Sequence, residues 1–140
     1  MAASTSVVKS IENPLDVLDK NVAKTLSVAQ ACAEGITRLI FSSSAAVYGD
    51  NDSTEPILED ANLDPTNPYG LSKLTCEQWF KAYKNLYGLD YVNLRYFNVY
   101  GSREYYKAKT SSMVIQLGHQ ILDGKSPRLF EGSDQIFRDS

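Results

Sequence analysis

One run constrains the fold of this chain more than any other: Arg38-Leu39-Ile40-Phe41, short and apolar, passes directly into Ser42-Ser43-Ser44. A buried strand of a parallel sheet has this length and composition. Stretches of helical spacing stand on both sides of it. Before it, Asn13-Pro14 offers a capping side chain followed by a proline in the first turn, where the missing N–H costs nothing. Leu15, Leu18, Val22, Leu26, Ala29 and Ala33 then recur as one apolar stripe, and Gly35 is the natural stop. After it, Asn67-Pro68 repeats the same start signal and Gly88 closes the helix. There Tyr69, Cys76, Phe80, Tyr83 and Tyr87 share a face, while Leu71, Leu74, Trp79 and Leu86 make the other side apolar as well. A helix apolar on two faces has two partners, and the second can be another subunit.

The pattern continues with a second strand, Asp90-Tyr91-Val92-Asn93-Leu94-Arg95-Tyr96-Phe97-Asn98. A polar loop over 101–109 leads to a third helix over 111–123, with Met113, Val114, Leu117 and Ile121 inward and Gly124 at its end. Leu129-Phe130 suits a short strand, and residues 1–12 show no periodicity. The order helix, strand, helix, strand, helix predicts a single α/β domain over 1–140, with parallel strands and flanking helices. Hydrophobic residues at 43% and charged residues at 22% exclude a disordered chain.

Several functions fall away on composition. A net charge of -3 with scattered Lys and Arg gives no phosphate-binding stripe, so nucleic acid is not an expected partner. Nothing approaches the roughly 20 apolar residues of a membrane span, and residues 1–11 lack the apolar core of a secretory signal. Cys32 and Cys76 read as reduced thiols of a cytoplasmic protein. His119, the single histidine, has no ligand cluster around it, and no metal site is expected.

The chemistry concentrates where the first strand ends and the second helix begins. Tyr69 and Lys73 are four residues apart and so project from one helix face. A free phenol, with a pKa of about 10, is a poor base, but a neighbouring ammonium favours its phenolate. Ser44, at the strand end, can hydrogen-bond the same substrate oxygen. A hydroxyl, a phenol and an ammonium together can move a proton on and off an alcohol.

These residues, with Pro68-Tyr69-Gly70-Leu71-Ser72-Lys73 and Leu94-Arg95-Tyr96-Phe97-Asn98-Val99-Tyr100-Gly101, resemble the extended short-chain dehydrogenase/reductases, and among them the nucleotide-sugar epimerases. Ser10-Ile11-Glu12-Asn13-Pro14 with Asn21 is similar to that family's start of the helix before the serine strand. The resemblance implies a partial Rossmann-like fold, NAD or NADP as cofactor, and a nucleotide sugar (ADP-heptose or a UDP-sugar) as substrate. It implies Ser44, Tyr69 and Lys73 as catalytic residues. Ser42, Tyr69, Lys73, Tyr96 and Phe97 would lie at the cofactor, and Ser44, Ala45, Ala46 and Asn98 at the substrate. The family's dehydratases carry an Asp-Glu pair where this chain has Ala45-Ala46, which favours an epimerase. The stretches over 102–113 and 129–133 look most like the ADP-glyceromanno-heptose 6-epimerases. On that resemblance Lys107 or Lys109 supplies a second proton-transfer group.

The resemblance covers nearly all of the chain, but the chain answers to the middle of the family. The glycines stand at 35, 49, 70, 88, 101, 118, 124 and 132, no two closer than six residues. The glycine-rich turn that seats a dinucleotide pyrophosphate, and the βαβ half that carries it, are therefore not expected within these residues. A piece inactive alone is the expectation, associating with itself through the helices that start at Pro14 and Pro68. The alternative is a non-catalytic module that self-associates or binds nucleotide sugars.

Overall fold

The computed structural model describes residues 3–35, 37–50, 56–101, 104 and 111–127. They fall into two compact units. The larger holds the described residues of Met1–Asp52 and Leu58–Tyr96, the smaller those of Ser53–Ile57 and Phe97–Ser140.

The larger unit opens with a helix where no regular element is expected. Helix α1, Val7–Glu12, is capped by Ser6, whose Oγ accepts from the Lys9 N–H at 3.3 Å. Six residues are too few to display a period, so its signals are the cap and the fully buried Ser10. Helix α2, Pro14–Val17, starts as the Asn-Pro pair requires, the Asn13 side chain accepting from Asp16 N–H at 3.2 Å. It then widens into a π-helical stretch, Leu18–Ala23, before α3, Lys24–Glu34, resumes. The wider turn shifts the inward stripe. Leu15 and Leu18, expected inside, are 75% and 53% exposed; Val22 and Ala29 are buried as the stripe predicts, and Val17, Asn21 and Thr25 join them.

Strand β1, Leu39–Ser44, runs through all three serines, with Leu39, Phe41 and Ser43 turned inward. It pairs in parallel with β2, Tyr91–Tyr96, in a register that sets Ser43 against Arg95 and Ser44 against Tyr96. Pairing stops there because β1 turns into a 3-10 helix, Ala45–Tyr48, leaving Phe97 and Asn98 past the strand rather than in it. Helix α4, Pro68–Tyr87, crosses between the strands. Asn67 caps it by accepting from Gly70 N–H at 2.9 Å, and Gly88, with φ +72°, ends it in the left-handed conformation.

Val22, Ala29, Leu39, Phe41, Cys76, Phe80 and Leu89 form the core. The Phe41 and Phe80 rings meet edge to face at 5.0 Å. Tyr83 packs on this core, whereas Tyr87 is 64% exposed, one turn beyond it. On the other side of α4 Leu74 is buried while Leu71, Trp79 and Leu86 are exposed.

In the smaller unit α5, Met113–Leu122, carries the carboxylate of buried Glu104 at its start, accepting from Ser112 N–H at 3.2 Å and Ser112 Oγ at 2.6 Å. A negative charge suits a helix N-terminus. Its inward face is shallower than the spacing predicts: Met113 and Leu117 are half-buried, but Val114 and Ile121 are exposed. Leu129 and Phe130 lie outside the described residues.

Candidate active site

β1 ends at Ser44, and the start of α4, which carries Tyr69 and Lys73, comes close to the turn behind that serine where Gly70 faces Ala46. The Lys73 side chain is buried against the sheet, its Nζ donating to the Ser42 carbonyl at 2.7 Å. The same ammonium lies 4.8 Å from the centre of the Phe41 ring and 5.8 Å from that of Tyr69. Burial pushes the Lys73 pKa down, a shift that a Cys76 thiolate would oppose. Lys73 is thus held, aimed and partly desolvated beside the phenol.

Tyr69 is fixed through its backbone. Its N–H, one of the unpaired donors of a helix start, donates to Ser10 Oγ at 3.2 Å, and that hydroxyl donates to Val7 O at 2.6 Å. Helix α1 therefore helps place the tyrosine. Asn21, buried in the π-helical turn, does similar work one turn along α4. Its Nδ2 donates to Ser72 Oγ at 3.2 Å and to Ser4 O at 2.9 Å, and its Oδ1 accepts from Ser4 N–H.

Ser44 caps the turn that follows it, its Oγ accepting from Ala46 N–H at 3.2 Å. The hydroxyl proton stays available for a second partner. Gly70 explains how closely this turn approaches α4: a Cβ there would lie 2.6 Å from Ala46 O. Gly49 closes the other end of the turn at φ +69°, where a Cβ would stand 1.8 Å from Asp64 O. Tyr96 pairs with Ser44 in register and so reaches the same end of the sheet, 45% exposed. Ser42 presents its side chain to solvent and its carbonyl to Lys73. Ala45 and Ala46 are half-buried in the 3-10 turn. Half-buried Phe97 and exposed Asn98 belong to the smaller unit. Lys107 and Lys109 lie outside the described residues.

The sequence reading passes over one part of this neighbourhood. Glu77, 6% exposed, receives a hydrogen bond from Ser43 Oγ and is gripped by Arg95, whose Nη2 lies 2.7 Å from its Oε2. The signals for it are Glu77 one turn after Lys73, and a cation in the middle of an apolar strand. Among the described residues no group of three His, Cys, Asp or Glu is placed to hold a metal ion, and no helix is long and apolar enough to cross a membrane.

On the exposed side of the strands Ser42, Val92 and Tyr96 face solvent, and Tyr69 at the start of α4 is half-buried. The glycine turn for a dinucleotide pyrophosphate does not occur among the 140 residues.

Comparison with known proteins gives the family. The profile of the NAD dependent epimerase/dehydratase family matches residues 1–139. The chain is 41% identical over 133 residues to UDP-glucose 4-epimerase of Azospirillum brasilense, covering 91% of this chain and 38% of that protein. Among solved structures it is similar to UDP-N-acetylglucosamine 4-epimerase of Methanobrevibacter ruminantium, in complex with UDP-N-acetylmuramic acid. There the TM-score is 0.84 and the identity 38%, over 93% of this chain and 42% of that one. It is also similar to ADP-L-glycero-D-manno-heptose-6-epimerase of Helicobacter pylori, with TM-score 0.76 and identity 38%, over 86% and 37%. The chain thus spans about two fifths of the length of these relatives. With the serine strand, the Tyr69–Lys73 helix start and a match over residues 1–139, the chain belongs to the NAD dependent epimerase/dehydratase family.

Proposed function

We propose that these residues carry the proton-transfer machinery of a nucleotide-sugar epimerase. The observation that carries this reading is Lys73, buried between the Ser42 carbonyl and the Tyr69 ring at the end of the strand that bears Ser44. Tyr69 accepts the proton of the sugar hydroxyl as it becomes a ketone and returns it to the same oxygen when the other face is reduced. Ser44 donates a hydrogen bond to that oxygen and orients it. Lys73 lowers the cost of the phenolate by its charge. Tyr69 and Lys73 would also hold the ribose of the cofactor, with Ser42, Tyr96 and Phe97 near its ring; bound NAD supplies the acceptor and later the donor of hydride. Asn98 and Ala45-Ala46 would face the sugar. The net change is an inverted carbon, with no group gained or lost.

The substrate is a nucleoside-diphosphate sugar. The heptose 6-epimerase reading rests on the stretches over 102–113 and 129–133, with Lys107 or Lys109 as the second proton-transfer group. Turnover with ADP-heptose but not UDP-glucose supports it, and the reverse preference rejects it.

Without a glycine turn for the pyrophosphate, the 140 residues alone are expected to leave both sugars unchanged. Supplied with the glycine-rich part of a relative, they should turn over, and Tyr69→Phe should then lower kcat by about 10²- to 10⁴-fold. Full activity of that variant would sink the reading.

A second reading is favoured by exposed Leu15, Leu18, Leu71, Trp79 and Leu86 on the helices starting at Pro14 and Pro68. In it the same chain self-associates through those helices, with or without turnover.

A further inference from the structure

The residues proposed for proton transfer leave a heavily bonded buried charge unexplained. Glu77 takes one hydrogen bond from Ser43 Oγ and three from Arg95: Nε to each carboxylate oxygen at 3.2 Å, and Nη2 to Oε2 at 2.7 Å. Arg95 in turn donates from Nη1 to Tyr48 Oη at 3.0 Å and to Glu59 O at 2.7 Å, with its guanidinium 5.0 Å from the Tyr48 ring. As a device for stability alone a buried ion pair is poor, because desolvation offsets much of the attraction. As a device for geometry it is well placed.

Side chains alternate along a strand, so Ser43 points to α4 while Ser42 and Ser44 point the other way. Pinning the Ser43 hydroxyl to Glu77 fixes the pleat of β1 where it matters. The Ser42 carbonyl that holds Lys73 and the Ser44 hydroxyl both follow from it. Arg95 sits opposite Ser43 in register, which fixes Tyr96 opposite Ser44. Through Tyr48 and Glu59 the same guanidinium anchors the far end of the 3-10 turn and the loop before α4.

We propose that Glu77 is a positioning residue for the Ser44, Tyr69 and Lys73 site, holding the end of β1 and the following turn in register with α4 through Ser43 and Arg95. The proposal rests on the epimerase reading for its meaning, but its geometry can be tested without turnover.

The test measures amide hydrogen exchange and the Lys73 Cε resonance in the 140-residue chain. Glu77→Gln and Ser43→Ala are compared with Leu89→Ala, which weakens the core and leaves the network intact. Ser43→Ala removes one hydrogen bond and keeps the ion pair, so it reports even where Glu77→Gln fails to fold. The expected result is exchange over residues 44–48 accelerated by about tenfold more than over 39–41, with a displaced Lys73 resonance. Leu89→Ala should speed exchange in both segments and leave Lys73 in place. Equal acceleration along β1, or a Lys73 resonance unmoved in Ser43→Ala, overturns the proposal. In a form completed with a dinucleotide-binding part, Ser43→Ala should lower kcat by about tenfold with KM unchanged. Local loosening without turnover in the unsubstituted completed form keeps the positioning role and rejects the epimerase reading; turnover of that form without local loosening in the variants does the opposite.

Discussion

Lys73 and Cys76 are one helical turn apart, and burial acts on them in opposite directions. It lowers the lysine and pushes the thiol from 9.0 up to about 11. Between those two values the unfolded chain has lost the thiol proton while the folded chain keeps it. The folded state then binds more protons, and stability falls as pH rises. The loss by pH 11 is about 2 to 3 kcal/mol. Lys73 contributes a slope of the other sign: between its lowered pKa and 10.5 the unfolded chain holds the extra proton, so stability rises with pH. Urea unfolding from pH 8 to 11 should therefore show a decline that Cys76→Ala converts to a rise; an unchanged decline would show that the thiol is not its source. Reactivity follows the same burial, and half-buried Cys32 should be alkylated well before Cys76. At this scale the sequence is informative about what acts but not about what holds it. Tyr69 and Lys73 are legible because four residues on a helix fix a shared face. Glu77 and Arg95 are not, because their meeting depends on a crossover that brings residues 18 apart together.

Caps and close approaches decide where the elements stop and how near they come. Both Asn-Pro starts are legible because the cap is local: Asn13 and Asn67 each accept from the third residue on. The π-helical turn is not legible, since nothing in Leu18–Ala23 forces a wider turn, and the displaced stripe carries Leu15 and Leu18 outward with it. Asn67→Ala should cost about 1 kcal/mol, read from the urea midpoint. Gly70 and Gly88 separate two reasons for glycine. At Gly88 the obstacle is φ +72° with nothing within 4 Å, so alanine costs about 1 to 2 kcal/mol and leaves the site alone. At Gly70 the obstacle is Ala46 O, so alanine must push α4 from the turn behind Ser44. A cost of about 1 to 3 kcal/mol is expected, with shifted amide resonances at 44–48. Equal shifts in the two variants would refute that distinction.

At the scale of the molecule, a parallel pair of strands ordinarily has cover on both faces. Here α3 and α4 cover one, while Ile40 at 62% and Val92 at 39% exposure look out from the other. Along α4, Leu71, Trp79 and Leu86 fall on one arc opposite the core, and the Trp79 ring meets Tyr83 edge to face at 5.9 Å. Soluble monomers seldom leave large contiguous apolar surface open. Self-association is expected, and the single tryptophan reports on it because it lies on the exposed arc. Its emission should shift to the blue as concentration rises, in step with the mass from sedimentation. Leu86→Glu, at a position 71% exposed, should abolish both changes while leaving the far-UV spectrum intact. If the unsubstituted chain stays monomeric with unshifted emission, the α4 arc does not join copies. If mass rises but emission does not, association uses another surface, and the open face with Ile40 and Val92 becomes the one to probe.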